Sequence, residues 1–502
     1  MSFKKFLSLV ILICCAFLSY SQNRNSNWCF GDSVGMNFSA GSPSLFNTHS
    51  KSRGSSVSVS DSIGQLLFYS FTRASVPGNT TKVMNRDNIL MQNGGNIIGE
   101  GWYQELCIIP DPSDQTQYYL FSVGVTGSSQ YGLYYSLIDM KQDSGRGQVV
   151  VKNIQLQNYA ADDCIIAIKH ADGRDWWVIS RSSDNTNDEF YQYLITPSGI
   201  SAATVMHVGS ATLSNNYRFA FSKQGNKMIS IDTQGLVELF DFDRCTGLIS
   251  FDQTILPEIT AGNIPYYFGI AFSPSGRFLY LSQFAVYTPN YLIQFDLQAA
   301  NILNSADTVF EMDSIATAFG LLMLAPDDKI YMASAWNDSV NFNYPYPDSV
   351  FNTVNNNLSV INYPDSPETS CGFAPFSFNL GQGRCYWGLP NNPDYELGAI
   401  VNSLCDTVTQ VGNLQFAAGN GELHLFYHPV WQIAFINAEK LQGINYNLSV
   451  YDVTGRTVCR EMDKLHYTYY SKDWQSNELS SGMYLVIFQT EKERLVQKFI
   501  KE

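Results

Sequence analysis

Apolar and polar residues alternate along most of this chain in short runs, broken every few residues by Gly, Asp, Asn or Ser. Period-2 alternation bounded by such residues predicts half-buried β-strands joined by turns. The clearest unit is FGIAFSPSGRFLYLS (268–282) followed by YLIQFDL (291–297). It predicts strand, tight turn, strand, loop, strand, because Ser-Pro-Ser-Gly interrupts two alternating runs. The same grammar recurs in VSVSDSIGQLLFYS, CIIPDPSDQTQYYLFS, IIAIKHADGRDWWVIS, RFAFSKQGNKMISI, GLLMLAPDDKIYMAS and FAPFSFNLGQGRCYWG. The turns centre on Gly64, Asp114, Gly173, Gly225, Gly276, Asp328 and Gly381, spaced 50, 59, 52, 51, 52 and 53 residues apart.

A steady period near 50 with three or four short strands per unit predicts a β-propeller. Gly or Asp at the turns suits two-residue hairpins, which need positive φ. The aromatic second strands, with Tyr118, Tyr119, Trp176 and Trp177, are expected to pack between blades. The last unit begins near Gly372 and runs out after Trp387, while NWCFGDSVGMNFSAGSP (27–43) is unclaimed. We expect this N-terminal segment to supply the missing strands of blade seven and close the ring. Seven blades of 53 residues account for the 371 residues from Trp28 to Gly398; six blades plus a separate hairpin is the alternative. Cys29 and Cys385 would then share a blade and form a candidate disulfide.

The first 21 residues predict a secretory signal peptide: Lys4 and Lys5, an apolar run from Phe6 to Phe17, then Ser19 and Ser21 before cleavage ahead of Gln22. No later run approaches the ~18 apolar residues of a membrane-spanning helix, so no transmembrane helix is expected. The remaining cysteines are scattered, with neither zinc-site spacing nor histidines clustered around them. A net charge of −15 argues against nucleic acid as a partner, since phosphate binding needs a basic stripe.

After Gly398 the period stops. Residues 399–420 read as a linker, and 421–502 as short alternating strands of a small β-sandwich. Here the sequence resembles a known family. LSVYDVTGRTV (448–458), LSSGMYLVIF (479–488) and a basic final strand are similar to the C-terminal sorting domain of type IX secretion cargo. The resemblance implies a sorting motif at Gly455, Arg456, Gly482, Tyr484 and Lys498, and the type IX machinery as partner. YHPV (427–430) stands where that family usually has Pro-Asn-Pro. The opening WCFGDSVGMNF, SDSIGQLLFYS and KVMNRDN likewise resemble secreted Bacteroidetes propeller proteins. The expected architecture is all-β: signal peptide 1–21, propeller 22–398, linker 399–420, sorting domain 421–502.

Asp followed by Ser or Thr and an aliphatic residue recurs, with hydroxyls at Ser33, Ser62, Thr308, Ser314, Ser339, Ser349 and Thr407. It resembles the O-glycosylation acceptor of exported Bacteroidetes proteins; Asp-Ser turns leading into β-branched strands give the same pattern. For catalysis the chain offers no G-x-S-x-G, H-E-x-x-H or phosphate loop. Acidic loops at Asp162-Asp163 and Asp241–Asp243 suit glycoside or uronate chemistry, or a structural calcium. No catalytic residue or other cofactor is expected. The 335–357 insertion, rich in Asn, Tyr and Pro, has the composition of a recognition loop. The reading is a secreted or cell-surface binding and adhesion module for an extracellular glycan or protein; the alternative is a carbohydrate-active enzyme with its site on one face.

Overall fold

The computed structural model describes residues 23–501, except 74–80, 100–103, 125–130, 159–160, 183–187, 212–216, 233, 260–265, 285–288, 314–316, 337–349, 401–402, 404, 406–420, 429–431, 453–456, 476–478, 480–481, 491 and 493. The chain divides into two units, 1–405 and 406–502. Among the described residues, the first unit contains seven small antiparallel sheets.

The first sheet holds β1 (Asn27–Phe30), β2 (Asp32–Asn37) and β3 (Ser44–Lys51). The second holds β4 (Ser56–Ser60), β5 (Leu66–Thr72) and β6 (Thr81–Asn85). The third follows as β7 (Leu106–Pro110), β8 (Gln117–Gly124), β9 (Gly132–Asp139) and β10 (Gln148–Gln157). In the fourth, β11 (Ala161–Lys169) and β12 (Trp176–Ser182) precede β13 (Glu189–Thr196), to which β14 (Gly199–Ile200) and β15 (Thr204–His207) both pair. The fifth has β16 (Tyr217–Phe221), β17 (Lys227–Asp232), β18 (Val237–Phe242) and β19 (Ile249–Leu256). The sixth has β20 (Tyr266–Phe272), β21 (Phe278–Phe284), β22 (Asn290–Asp296) and β23 (Asp307–Met312), and the seventh β24 (Thr317–Leu324), β25 (Ile330–Trp336), β26 (Asn357–Ile361) and β27 (Phe373–Asn379).

Each sheet is a meander, and the first strand of each packs on the first strand of the next: β1 on β4, then β7, β11, β16, β20 and β24. That is the arrangement of a β-propeller, with each first strand innermost. The inner strands are correspondingly buried; every residue of β4, β7 and β11 is inside. Tyr118, Tyr119, Trp176 and Trp177 are all buried. Gly64, Gly173, Gly225, Gly276 and Asp328 adopt φ between 60° and 87°. Their hairpins are longer than two residues: Ser222 N–H donates to Lys227 O, leaving 223–226 as the loop. The positive φ therefore closes a three-residue turn at Gly64 and Asp328 and a four-residue turn at Gly173, Gly225 and Gly276.

Closure differs from the sequence expectation in its division of strands. Phe373–Asn379 does not open a further blade; it pairs with β26 as the outer strand of the seventh sheet. Its burial gives it away, since alternate residues are exposed as on an outer strand, whereas inner strands are covered on both faces. The N-terminal segment forms a whole sheet instead of lending strands to another. Arg384 locks the two ends together: it makes an antiparallel bridge to Asp32, and its Nε and Nη2 donate to Asp32 Oδ2 at 3.0 and 2.8 Å. Trp28 of β1 packs edge-on to Tyr331 of β25 at 6.0 Å.

The expected Cys29–Cys385 disulfide is not formed; both are buried free thiols. Successive residues of a strand face opposite sides. Trp28 and Phe30 point into the cluster that includes Cys385, while Cys29 points the other way, onto Tyr69 and Phe71. The disulfide present joins Cys245 to Cys405, 160 residues apart, with Cα atoms 5.6 Å from each other.

The second unit holds β28 (Glu422–His428), β29 (Ile433–Glu439), β30 (Asn445–Asp452), β31 (Thr457–Lys464), β32 (Tyr470–Gln475), β33 (Gly482–Thr490) and β34 (Arg494–Lys501). One sheet runs β28-β29-β32 and the other β31-β30-β33-β34. Ala434, Ile436, Leu448, Val450, Tyr484, Val486 and Phe488 fill the space between them. Their i, i+2 spacing on facing strands makes a β-sandwich core.

Candidate functional site

The channel enclosed by the inner strands holds the chain's own segment 389–398. It enters past Gly388, where a Cβ would run into the Gly54 carbonyl. An inner strand has a partner on one side only, so every second residue turns its N–H and C=O toward the axis. On β4 those residues are Ser56, Ser58 and Ser60. Asn391 N–H donates to Ser56 O at 2.8 Å, Ser58 N–H to Asn392 Oδ1 at 2.8 Å, and Ser60 N–H to Arg24 O at 2.9 Å. On β7 and β11, Asn391 Nδ2 donates to Leu106 O and Ile165 O at 2.9 and 2.8 Å. Tyr395 OH donates to Ile108 O at 2.8 Å. Further along β11, Arg244 Nε takes Lys169 O at 2.8 Å while its Nη2 holds Gly398 O at 2.6 Å. Ile400 N–H reaches Ala171 O, and Cys405 is then bonded to Cys245.

One further amide, from a residue bridged to Cys164 of β11, reaches the adjacent inner strand β16. Gln104 Nε2 donates to Phe219 O at 3.2 Å and its Oε1 accepts Phe219 N–H at 3.0 Å. Beside the axial segment remains a cavity of about 480 Å³, bounded by β11, β16, β20 and β24 and by residues 389–397. Asp394, Glu396 and Lys223 are its charged lining. Burial pushes the Asp394 and Glu396 carboxyls above their ordinary range. Lys169, at the end of β11, is driven down to about 8 by burial, opposed by the carboxylates of Glu396 and Asp394.

The acidic pairs named from sequence divide. Asp162 and Asp163 are not in a surface loop; both are buried on β11. Asp162 Oδ1 accepts the N–H groups of Asp163 and Tyr217, so it splices β11 to β16, and burial raises its carboxyl well above the ordinary value. Asp241 is exposed and paired with Lys227. Asp243 caps its own turn through Cys245 N–H and Thr246 Oγ1. Among the described residues no group of three or more His, Cys, Asp or Glu is placed to hold a metal ion.

Ser62 and Thr308 are exposed, on the β4–β5 turn and on β23, whereas Ser33 is half-buried beside the Asp32–Arg384 pair at φ 66°. Ser314, Ser339, Ser349 and Thr407 lie outside the described residues, as do Gly455 and Arg456. Gly482 opens β33, Tyr484 is buried in the sandwich core, and Lys498 is exposed on β34. Sequence reasoning missed Gln104, Asn391 and Asn392. The only available signal was an Asn pair bracketed by prolines, LPNNPDYEL, inside a span already assigned to the propeller.

Residues 426–502 match the family described as the secretion system C-terminal sorting domain. The chain thus ends in a type IX sorting domain, which directs export to the cell surface or beyond. No helix among the described residues is long and apolar enough to cross a membrane. No curated protein matches the chain by sequence. Among solved structures, a protein described as a 6-phosphogluconolactonase from Bacteroides fragilis is 12% identical, covering 73% of this chain and 98% of its own at a TM-score of 0.43. A periplasmic gluconolactonase from Pseudomonas aeruginosa is 13% identical, covering 66% and 91% at 0.41. PorZ, a surface component of the type IX secretion system of Porphyromonas gingivalis, is 10% identical, covering 95% and 80% at 0.25. Likenesses this distant bring neither substrate nor activity to this chain.

Proposed function

We propose that the protein is a secreted or cell-surface binding and adhesion module, made with a cleaved leader of 21 residues and recognising an extracellular glycan or protein with one end of its propeller. What supports this is a contrast in connection lengths. In the six sheets after the first, the hairpins joining the inner strand to the second strand are all five or six residues long. The connections from second to third strand leave the opposite end of each meander and run from four residues, between Asp232 and Val237, to twenty, between Trp336 and Asn357. Uniform turns hold the disc together, and variable ones are where recognition is built. The long connection carries NDSVNFNYPYPDSVF, rich in Asn and Tyr and poor in charge. Its Ser339 and Ser349, with the exposed Ser62 and Thr308, are proposed glycan acceptors.

The test is a glycan array and a cell-adhesion assay with the mature chain, beside a variant whose residues 337–349 are replaced by a short Gly-Ser turn. Loss of binding with an unchanged melting temperature supports the reading; undiminished binding rejects it. An intact mass equal to that of the bare polypeptide would end the glycosylation proposal.

A further inference from the structure

The axial segment is off-centre. Its hydrogen bonds to inner strands go to β4, β7 and β11, and among the described residues none goes to β16 or β20. On the open side, Ser222, Ser273 and Ala325 donate their N–H groups across their own hairpins, to Lys227, Phe278 and Lys329. Alternation then turns the N–H and C=O of the preceding residues, Phe221, Phe272 and Leu324, toward the axis. These three occupy the same position on three consecutive sheets, and all line the cavity. On the filled side, at the equivalent positions, Ser60 N–H donates to Arg24 O and Lys169 O accepts from Arg244, while Asn391, Asn392 and Tyr395 take axis-facing groups further along the same strands. On the open side nothing among the described residues takes them.

We propose that this cavity is a binding site for a neutral polyhydroxylated molecule of mono- to disaccharide size, held by the axis-facing main-chain groups of Phe221, Phe272 and Leu324. A hydroxyl both donates and accepts, so a ring of hydroxyls meets an N–H and a C=O at each of three positions with no charge required. The chain shows the same chemistry on the filled side, where carboxamides and a phenol bind axis-facing main-chain groups of Ser58, Leu106, Ile165 and Ile108. The rest of the site is also neutral in character. Ile168, Leu389 and Leu397 give apolar wall, Lys223 at the rim is paired with Asp328, and burial favours the uncharged forms of both Asp394 and Glu396. About 480 Å³ lies within the size range of small-ligand pockets. The site stands apart from the proposed recognition end, since its rim is formed by the uniform hairpins.

The experiment is calorimetric titration of the mature full-length protein with a panel of neutral mono- and disaccharides, and with tetraalanine as a peptide of similar size. Selective ¹⁵N-Phe and ¹⁵N-Leu spectra accompany it. At least one saccharide should bind below about 1 mM, shifting the Phe221, Phe272 and Leu324 amides. Lys223→Trp and Pro326→Trp, both at exposed rim positions, should weaken it at least tenfold. The 337–349 replacement should leave it unchanged, which separates this site from the loop reading. No saccharide binding on a folded sample, or binding indifferent to both rim variants, overturns the proposal; binding of tetraalanine alone overturns its ligand class.

Discussion

The two halves of the propeller axis are built from equivalent strands and used differently. On one side β4, β7 and β11 present their main-chain edges to the chain's own axial segment and to Arg24 and Arg244, which together engage main-chain groups of Ser56, Ser58, Ser60, Leu106, Ile108, Ile165 and Lys169. On the other, Gln104, Asp162 and Trp387 take main-chain groups at Phe219, Tyr217 and Leu321, and the edges of β16, β20 and β24 face the cavity at Phe221, Phe272 and Leu324. A buried main-chain group without a partner is costly. The filled half is therefore where closure is stabilised, and the open half is where a visitor finds unused hydrogen bonds. Half of an axial ring suffices to hold the tail, provided the tail is clamped at its exit by Arg244 and the Cys245–Cys405 bond.

The sharpest way to break that contrast is Asn391. Asn391→Ala strips the donor from the buried Leu106 and Ile165 carbonyls, and we expect a loss of about 3–4 kcal/mol in urea unfolding followed by tryptophan fluorescence. Asn391→Asp should lose more, because it sets a carboxylate against the same oxygens. A change under about 0.5 kcal/mol in both, the usual scale of a surface substitution, would show that the segment does not close the ring. Next in size is Cys405→Ser, expected to cost about 2–4 kcal/mol, since it frees a loop of 160 residues.

A smaller effect is expected in the fifth sheet, on the open side. Burial raises Asp232 to about 6 from the ordinary 3.8. Between those values the folded state binds more protons than the unfolded one, so this group's contribution falls as pH rises. Its penalty is fully present above pH 6 and is lost as pH drops toward 3.8. Asp232→Asn should retain an acceptor for the Gln234 and Leu236 N–H groups. It should stabilise the protein at pH 7 by on the order of 2 kcal/mol and flatten its stability profile between pH 4 and 6. A destabilised variant would contradict this account of the carboxylate. Smallest of all is Lys223→Ala at the open rim. The exposed pair it breaks with Asp328 is worth less than about 1 kcal/mol, so the melting temperature should barely move. A large drop would mean that the open side also carries closure.

The legible parts of the molecule are those whose physics is local. The hairpins at Gly173, Gly225 and Gly276 were readable because a turn needing positive φ lies between two alternating runs. The sorting domain was readable because its strand motifs are contiguous. The same local logic misled at Phe373–Asn379, where alternation looked like an inner strand; only its neighbours reveal an outer one. It misled again at Cys29 and Cys385, where being near in the fold is not enough when alternate residues face opposite sides. Asp162 and Asp163 read as a surface acidic pair, yet they are buried at a junction between sheets.

By itself, then, the amino-acid order determined an all-β chain with a period near 50, hairpins at definite positions and a C-terminal sorting domain. Each rests on short local patterns of about a dozen residues, repeated or ordered along the chain. Tertiary structure decided how the ring closes, which cysteines meet and which half of the axis stays open. Asn391 meets groups 226 and 285 residues away, and Arg384 meets Asp32 across 352. Such partners are chosen by the curvature of stacked sheets, which brings distant strand edges to one axis and leaves no local trace in the sequence.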